Sequence, residues 1–327
     1  MQPSSVHTIS LKEQPALWER LHAASQGSTI FSSTEWLTIL ADVFRRRALG
    51  FVLVTDGEPV AGIPLLLHRR GPLRIAAPLP VSLYAGLITS TESPFPFDNL
   101  LDVIEAAFHF ISISAAIPDE ERTLLGKRGW RLRKQQTIRI SLSDIQVVWD
   151  GYTQSLRRKL RRASESALQL DSDPPIDLIV RMFEQSYLRH GKLPPIPGSK
   201  IEEWLHALLQ HGIANCFAAR HADGRCAAVR VVVRDGDMLY DWLAGADPTI
   251  APSASHWLLH AILERFIAEG CKLFDFMGAN TPGVTDFKRG FGGFDHEYHE
   301  AEWYRPTLLR HVDAIRRKRL RFRRGFK

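Results

Sequence analysis

Cysteine is scarce in this chain. Only Cys216, Cys226 and Cys271 occur among 327 residues, and no two form a CxxC pair. An odd, dispersed set speaks against a disulfide framework and against a structural zinc site. The thirteen histidines are scattered, no HExxH spacing occurs, and no metal site is expected. No uninterrupted apolar run reaches the ~18 residues that a spanning helix needs. Residues 1–14 lack the basic-then-apolar order of a secretory signal, so a cytoplasmic protein is expected. Wholesale disorder is also not expected, because 45% of the residues are hydrophobic and 24% charged. The length suits about two domains.

Charge is unevenly placed. The formal net charge is +6, but residues 305–327 hold ten Lys or Arg against Asp313 alone. That segment carries +9, so residues 1–304 sum to −3. The basic character is local and does not extend over the whole molecule. Leu308, Val312 and Ile315 at helical spacing precede the run from Arg316 to Arg324. Such a tail suits an anionic membrane surface, which would place the protein at the inner face of the membrane, or RNA, or a disordered end.

The ordered part reads as alternating helices and strands. A helix begins near Ser33, with Trp36, Leu37, Leu40 and Phe44 on one face. Residues 51–67 form a hairpin turned at Asp56-Gly57, and residues 215–234 form another turned at Asp223-Gly224. The shared grammar suggests two lobes of similar build. In the second, a strand over 237–243 leads through a loop to a helix capped by Ser253 or Ser255 and ended by Gly270. A short strand over 272–277 follows, which makes a parallel crossover on a mixed sheet. A helix over about 152–170 carries Leu156, Leu160, Ala163 and Ala167 on one side. Arg157, Arg158, Arg161 and Arg162 lie on the other. Residues 192–198, with three prolines, form a loop.

Several segments resemble FemAB-like, GNAT_6-type acyltransferases. They are Phe31 to Trp36, the basic helix from Leu156 to Ala163, Tyr240 to Pro248, the helix from Trp257 to Glu269, and Gly270 to Gly278. Asp286 to Gly293, with Phe287-Lys288 and Phe291-Gly292, is similar to the family's closing motif. The resemblance spans residues 30–305. It implies an α/β (α+β) fold of two tandem GNAT-like lobes, each a mixed β-sheet flanked by helices. The expected division is residues 1–145, residues 146–305 with the main site, and a basic tail over 306–327. The implied activity is N-acyl transfer from a thioester or ester donor to an amine, in cell-envelope or exopolysaccharide synthesis. The amine acceptor would be a small molecule or lipid-linked. No permanently bound cofactor is expected. Acyl-CoA suits the donor role better than aminoacyl-tRNA, since the long charged insertion of some cross-bridge transferases is absent. One further departure bears on the donor. The turn Ala251-Pro252-Ser253-Ala254-Ser255 has no glycine, where acetyl-CoA-dependent relatives usually have a Gly-rich turn for pyrophosphate.

Direct acyl transfer needs a neutral amine, a polarised carbonyl and close placement of the two. Lys288, expected in a loop after residues 278–283, is the first candidate for oxyanion stabilisation or phosphate binding. Arg289 beside it is a candidate for substrate binding. Tyr240 and Asp241, facing opposite sides of a strand, are candidates to donate and to accept a proton; ordinary sheet packing is the alternative. Tyr84 suits a cleft lining or a core position. Tyr187 and His190, at i and i+3, suit substrate contact or a helix end. Arg158 and Arg162 suit a diphosphate or a tRNA backbone, or a solvated helix face. Ser253 and Ser255 suit the donor. The competing function is a non-catalytic protein whose GNAT-like lobes bind a nucleotide-sugar or RNA.

Overall fold

The computed structural model describes residues 4–25, 27–78, 82–90, 97–189, 191–279 and 282–305. The expected basic tail, 306–327, lies outside the described residues, as does His190. The chain divides into two compact units, residues 1–134 with 297–327, and residues 135–296.

In the first unit the order is β1 (Ser5–Ser10), α1 (Ala16–Ala24), α2 (Thr34–Val43), β2 (Arg47–Thr55), β3 (Glu58–Arg70), β4 (Leu73–Ala76), β5 (Ile88–Thr89), α3 (Phe97–Ala107), β6 (Phe110–Ala115) and α4 (Asp119–Lys127). β7 (Arg131–Ser141) crosses the division. Ser33 starts α2 by accepting from the Trp36 amide at 3.1 Å. The hairpin turns at Asp56-Gly57, both with positive φ (51° and 84°), so the two-residue turn matches the twist of its strands. β4 and β6 pair in parallel across α3, and β1, β2 and β3 run antiparallel. The core of this unit packs α3, through Leu100, Leu101 and Ile104, on Phe51, Leu53, Ile63 and Ile111.

The second unit continues with α5 (Ile145–Gly151), α6 (Gln154–Ser164), β8 (Gln169–Asp171), α7 (Ile176–Leu188), α8 (Gly198–Gln210), β9 (Ala214–Arg220), β10 (Cys226–Asp235), β11 (Met238–Ala246), α9 (Ala254–Ala268), β12 (Leu273–Asp275) and α10 (Pro282–Gly290). Its strand order is β7-β12-β11-β10-β9-β8, with β11 and β12 parallel across α9. Each unit is thus a mixed sheet with helices, and each repeats helix, hairpin, strand, helix, parallel strand. The last strand, β13 (Phe294–Tyr304), returns to the first unit and pairs with β6. The division falls ahead of the 145/146 boundary read from the sequence, because β7 pairs with β12.

Four features of the second unit set up its site. Leu258, Leu259, Ile262, Leu263 and Phe266 seat α9 in the core, and Gly270 (φ 81°) ends it. α6 starts at Thr153, whose hydroxyl accepts from the Leu156 amide, and buries Leu156, Leu160 and Ala163. On the other face of the sheet, α7 approaches β11 so closely that a Cβ on Gly245 would lie 2.6 Å from the Met182 carbonyl oxygen. Finally, the β10–β11 register shifts between Val231 and Val232, so Trp242 is a bulge residue. The bulge inverts the alternation of β11. It brings Asp241, opposite Val232, to the face that carries Arg230, and leaves Tyr240, opposite Val233, on the other.

Candidate active site

The site grows from one buried charge. Arg230 sits in the middle of β10 and is 2% exposed. Burying a guanidinium is costly unless it is paired, and here it is. Its Nη1 donates to both Asp241 oxygens at 2.5 Å, and its Nη2 donates to Ser255 Oγ at 3.2 Å. The guanidinium also lies over the Phe287 ring, 5.7 Å from its centroid. One side chain therefore ties β10 to β11, to the first turn of α9 and to α10.

Lys288 follows Phe287 on α10 and is half-buried. It lies on a helix, not in the loop expected for it. The reason is that α10 begins at Pro282 and closes with Phe291 in the core. Its Nζ donates to the carbonyl oxygens of Phe276, at 2.7 Å, and Gly278. It also lies 5.6 Å from the Phe276 ring centroid. Burial pushes its pKa down; the Asp241 carboxylate opposes that shift, Arg230 reinforces it, and Asp275 opposes it. The carbonyls are fixed by Asp275, which is fully buried at the end of β12. Asp275 accepts from Thr137 Oγ1 (2.7 Å), Arg139 Nε (2.8 Å) and the Met277 amide (2.7 Å).

His256, in the first turn of α9, completes the surroundings. Its ring centroid is 4.6 Å from that of Phe287, and it stacks near Phe291. Its Nδ1 is buried without a hydrogen-bond partner. Burial, followed by the nearby Lys159 and Arg230, pushes its pKa down to about 4, so the ring is neutral at pH 7.

Several expected site residues fall elsewhere or are already committed. Asp241 is bound through both oxygens to Arg230, so it is not placed as an unengaged base. Tyr240 is 2% exposed on the face opposite Arg230, and burial raises its pKa. Tyr187, near the end of α7, packs its ring on Phe183 at 5.0 Å. It belongs to the helix covering that same opposite face. Tyr84 is buried in the first unit against Phe31 and Tyr298. Arg158 and Arg162 are exposed on α6, and Arg289 is exposed beside Asp295, at 3.3 Å. Ser253 has φ 68° and makes no side-chain cap, while Ser255 is the residue that Arg230 grips. The amides of Ala254, His256 and Trp257 are bonded within this turn, to Ala251 O and Ser253 O. This start of α9 is thus not an open cradle of amides. The structure brings together Lys288, Asp241 and Ser255, with Arg230, Phe287 and His256 added. Arg230 had a legible signal, as an arginine flanked by valines in Val229-Arg230-Val231-Val232. His256 had none beyond its place near a helix start.

Residues 152–289, the stretch holding all of these groups, match the family model described as Acetyltransferase (GNAT) domain, Acetyltransf_6. That stretch lies within the second unit, which is thus similar to a GNAT acetyltransferase domain. The fold agrees. FemX shares 12% identity at a TM-score of 0.71, over 94% of this chain and 99% of that one. A tandem GNAT protein from the clavulanic acid biosynthesis pathway shares 11% identity at 0.58, over 92% and 98%. The C-terminal domain of a putative lysylphosphatidylglycerol synthetase from Agrobacterium fabrum shares 14% identity at 0.57, over 92% and 96%. At these identities the likeness concerns the fold, and it is a tandem GNAT fold. No curated protein matches the sequence.

Proposed function

We propose that the chain transfers an acyl or aminoacyl group from a thioester or ester donor to an amine, with Lys288 stabilising the charge that develops on the carbonyl oxygen. The seat of Lys288 carries this reading. An ammonium has three N–H donors, and the carbonyls of Phe276 and Gly278 take two. The third remains for a substrate oxygen, on a group whose direction the protein has already fixed. The amine nitrogen attacks the carbonyl carbon, the C–O π pair moves to oxygen beside Lys288, and the tetrahedral adduct expels the thiolate or alkoxide. The proton leaving the amine goes to that leaving group. No covalent enzyme intermediate is needed, and Asp241 need not leave Arg230.

The donor reading rests on charge. Arg158, Lys159, Arg161 and Arg162 are exposed on α6, and Lys159 is close enough to depress His256. That face suits a polyanionic handle, either the diphosphate of acyl-CoA or the backbone of an aminoacyl-tRNA. A lipid-linked acceptor in cell-envelope or polysaccharide synthesis suits the basic tail and the likeness to a lysylphosphatidylglycerol synthetase domain.

The test offers acetyl-CoA and aminoacyl-tRNA separately to the intact protein with a panel of amines, and reads product mass. Lys288→Ala is expected to lower turnover by about 10²–10³ with the fold kept, as loss of one oxyanion donor does. Full activity in that variant would sink the role of Lys288. Tight binding of a donor with no product from any amine would favour a binding protein instead.

A further inference from the structure

The Arg230–Asp241 pair is far more elaborate than packing requires. Both side chains are almost fully buried, at 2% and 8% exposure. Replacing such a pair by apolar residues often costs little, so burial energy alone does not explain it. Its position is informative. The bulge at Trp242 puts Asp241 on the Arg230 face, and the guanidinium then meets Ser255 of α9 and Phe287 of α10. Phe287 immediately precedes Lys288. α10 is therefore held twice: by Arg230 at Phe287, and by the Phe276 and Gly278 carbonyls at Lys288.

We propose that Arg230 and Asp241 are positioning residues for Lys288, the pair clamping α10 and balancing the charge around the ammonium, with Asp241 acting through this pair and not as a base. The inference rests on the role given to Lys288 above. Were Asp241 to take a proton from an amine, it would have to release Arg230 and strand a buried guanidinium. As a fixed counter-charge it loses nothing during the reaction.

The charged groups facing Lys288 come from three strands. Asp241 on β11 and Asp275 on β12 favour its ammonium form, and Arg230 on β10 disfavours it. The neutral His256 faces the same Phe287 ring from α9. Opposite signs on the two members of the pair give a test that a purely structural role does not pass. In the full-length protein, brief acetic anhydride pulses across a pH series, read by peptide mass spectrometry, report the titration midpoint of Lys288 without any substrate. Asp241→Asn is expected to lower that midpoint and Arg230→Met to raise it, each by at least about 0.5 pH unit. The double variant should return close to the parent. Exposed Lys272, paired with Asp237, serves as the control and should not move.

Shifts of the same sign in both single variants, or no shift in either, overturn the proposal. If a single variant fails to fold, the double variant and Arg230→Lys decide instead. The double variant leaves no unpaired charge, and Arg230→Lys keeps the charge but loses the fork that spans Asp241 and Ser255. With Arg230→Lys the midpoint should stay near the parent while turnover drops about tenfold through kcat, not KM. Unchanged turnover would remove the clamp. The labelling result stands apart from catalysis. Midpoint shifts without turnover of any donor would keep the pair's role and overturn the acyl-transfer reading.

Discussion

His256 shows how one ring can report on the site from a distance. It sits between Phe287 and Phe291 with Nδ1 buried and unpartnered, and its pKa is pushed down to about 4. In the unfolded chain it titrates near 6.5. Above that value both states hold a neutral ring and nothing is lost. As pH falls from about 6.5 to 4 the unfolded state takes up the proton first, so stability drains away over that window. By pH 4.5 the loss should be about 1.5 kcal/mol, less than the full shift implies because the ring keeps some solvent contact. His256→Phe fills the same aromatic slot and should lose correspondingly less on acidification. Urea midpoints of both proteins at pH 7 and 4.5 measure the difference of differences, in which the other acidic groups cancel. Equal losses would mean that His256 titrates freely in the folded protein.

At the scale of elements, local chemistry was readable and register was not. The turns at Asp56-Gly57 and Asp223-Gly224, the Ser33 cap and the β11–α9–β12 crossover are written in adjacent residues, so a sequence reading finds them. The bulge at Trp242 is not announced by any residue type. It arises from pairing between strands, yet it alone decides that Asp241 meets Arg230 and that Tyr240 does not. Lys288 was legible as a candidate from the Phe287-Lys288 motif, but its partners are main-chain carbonyls that no side chain advertises. β7 was equally hidden, because its partner β12 lies more than a hundred residues along the chain. It matters energetically. Thr137 and Arg139 of β7 satisfy the fully buried Asp275, and Ile138 and Ile140 join the core. A chain comprising residues 146–305 loses all four and takes the Arg139 counter-charge away from the buried Asp275, leaving it the Met277 amide, a penalty of about 3–5 kcal/mol before any core loss. It should show no cooperative urea transition, whereas residues 135–296 should. Equal transitions in the two would show that β7 is dispensable to this unit.

Over the whole molecule the charge divides sharply. Residues 305–327 carry +9 and the remainder −3. None of the described helices is long and apolar enough to cross a membrane. The candidate apolar stripe of Leu308, Val312, Ile315 and Phe322 is interrupted by Arg319, so burial of apolar surface is limited and charge should dominate. Each basic residue near an anionic bilayer contributes about 1 kcal/mol, and salt screens it over a Debye length of about 8–10 Å. The intact protein should then bind phosphatidylglycerol-containing vesicles at low salt and release them as salt rises. A chain ending at Tyr304 should bind the same vesicles poorly. It should nevertheless keep acyl transfer to a water-soluble amine, because β13 is intact and Lys288, Arg230 and Asp241 all lie upstream. Sedimentation with vesicles at two salt concentrations separates the cases. Equal sedimentation of the two chains would take the tail out of the mechanism, and tighter binding to RNA than to vesicles at matched salt would assign its charge to a nucleic acid.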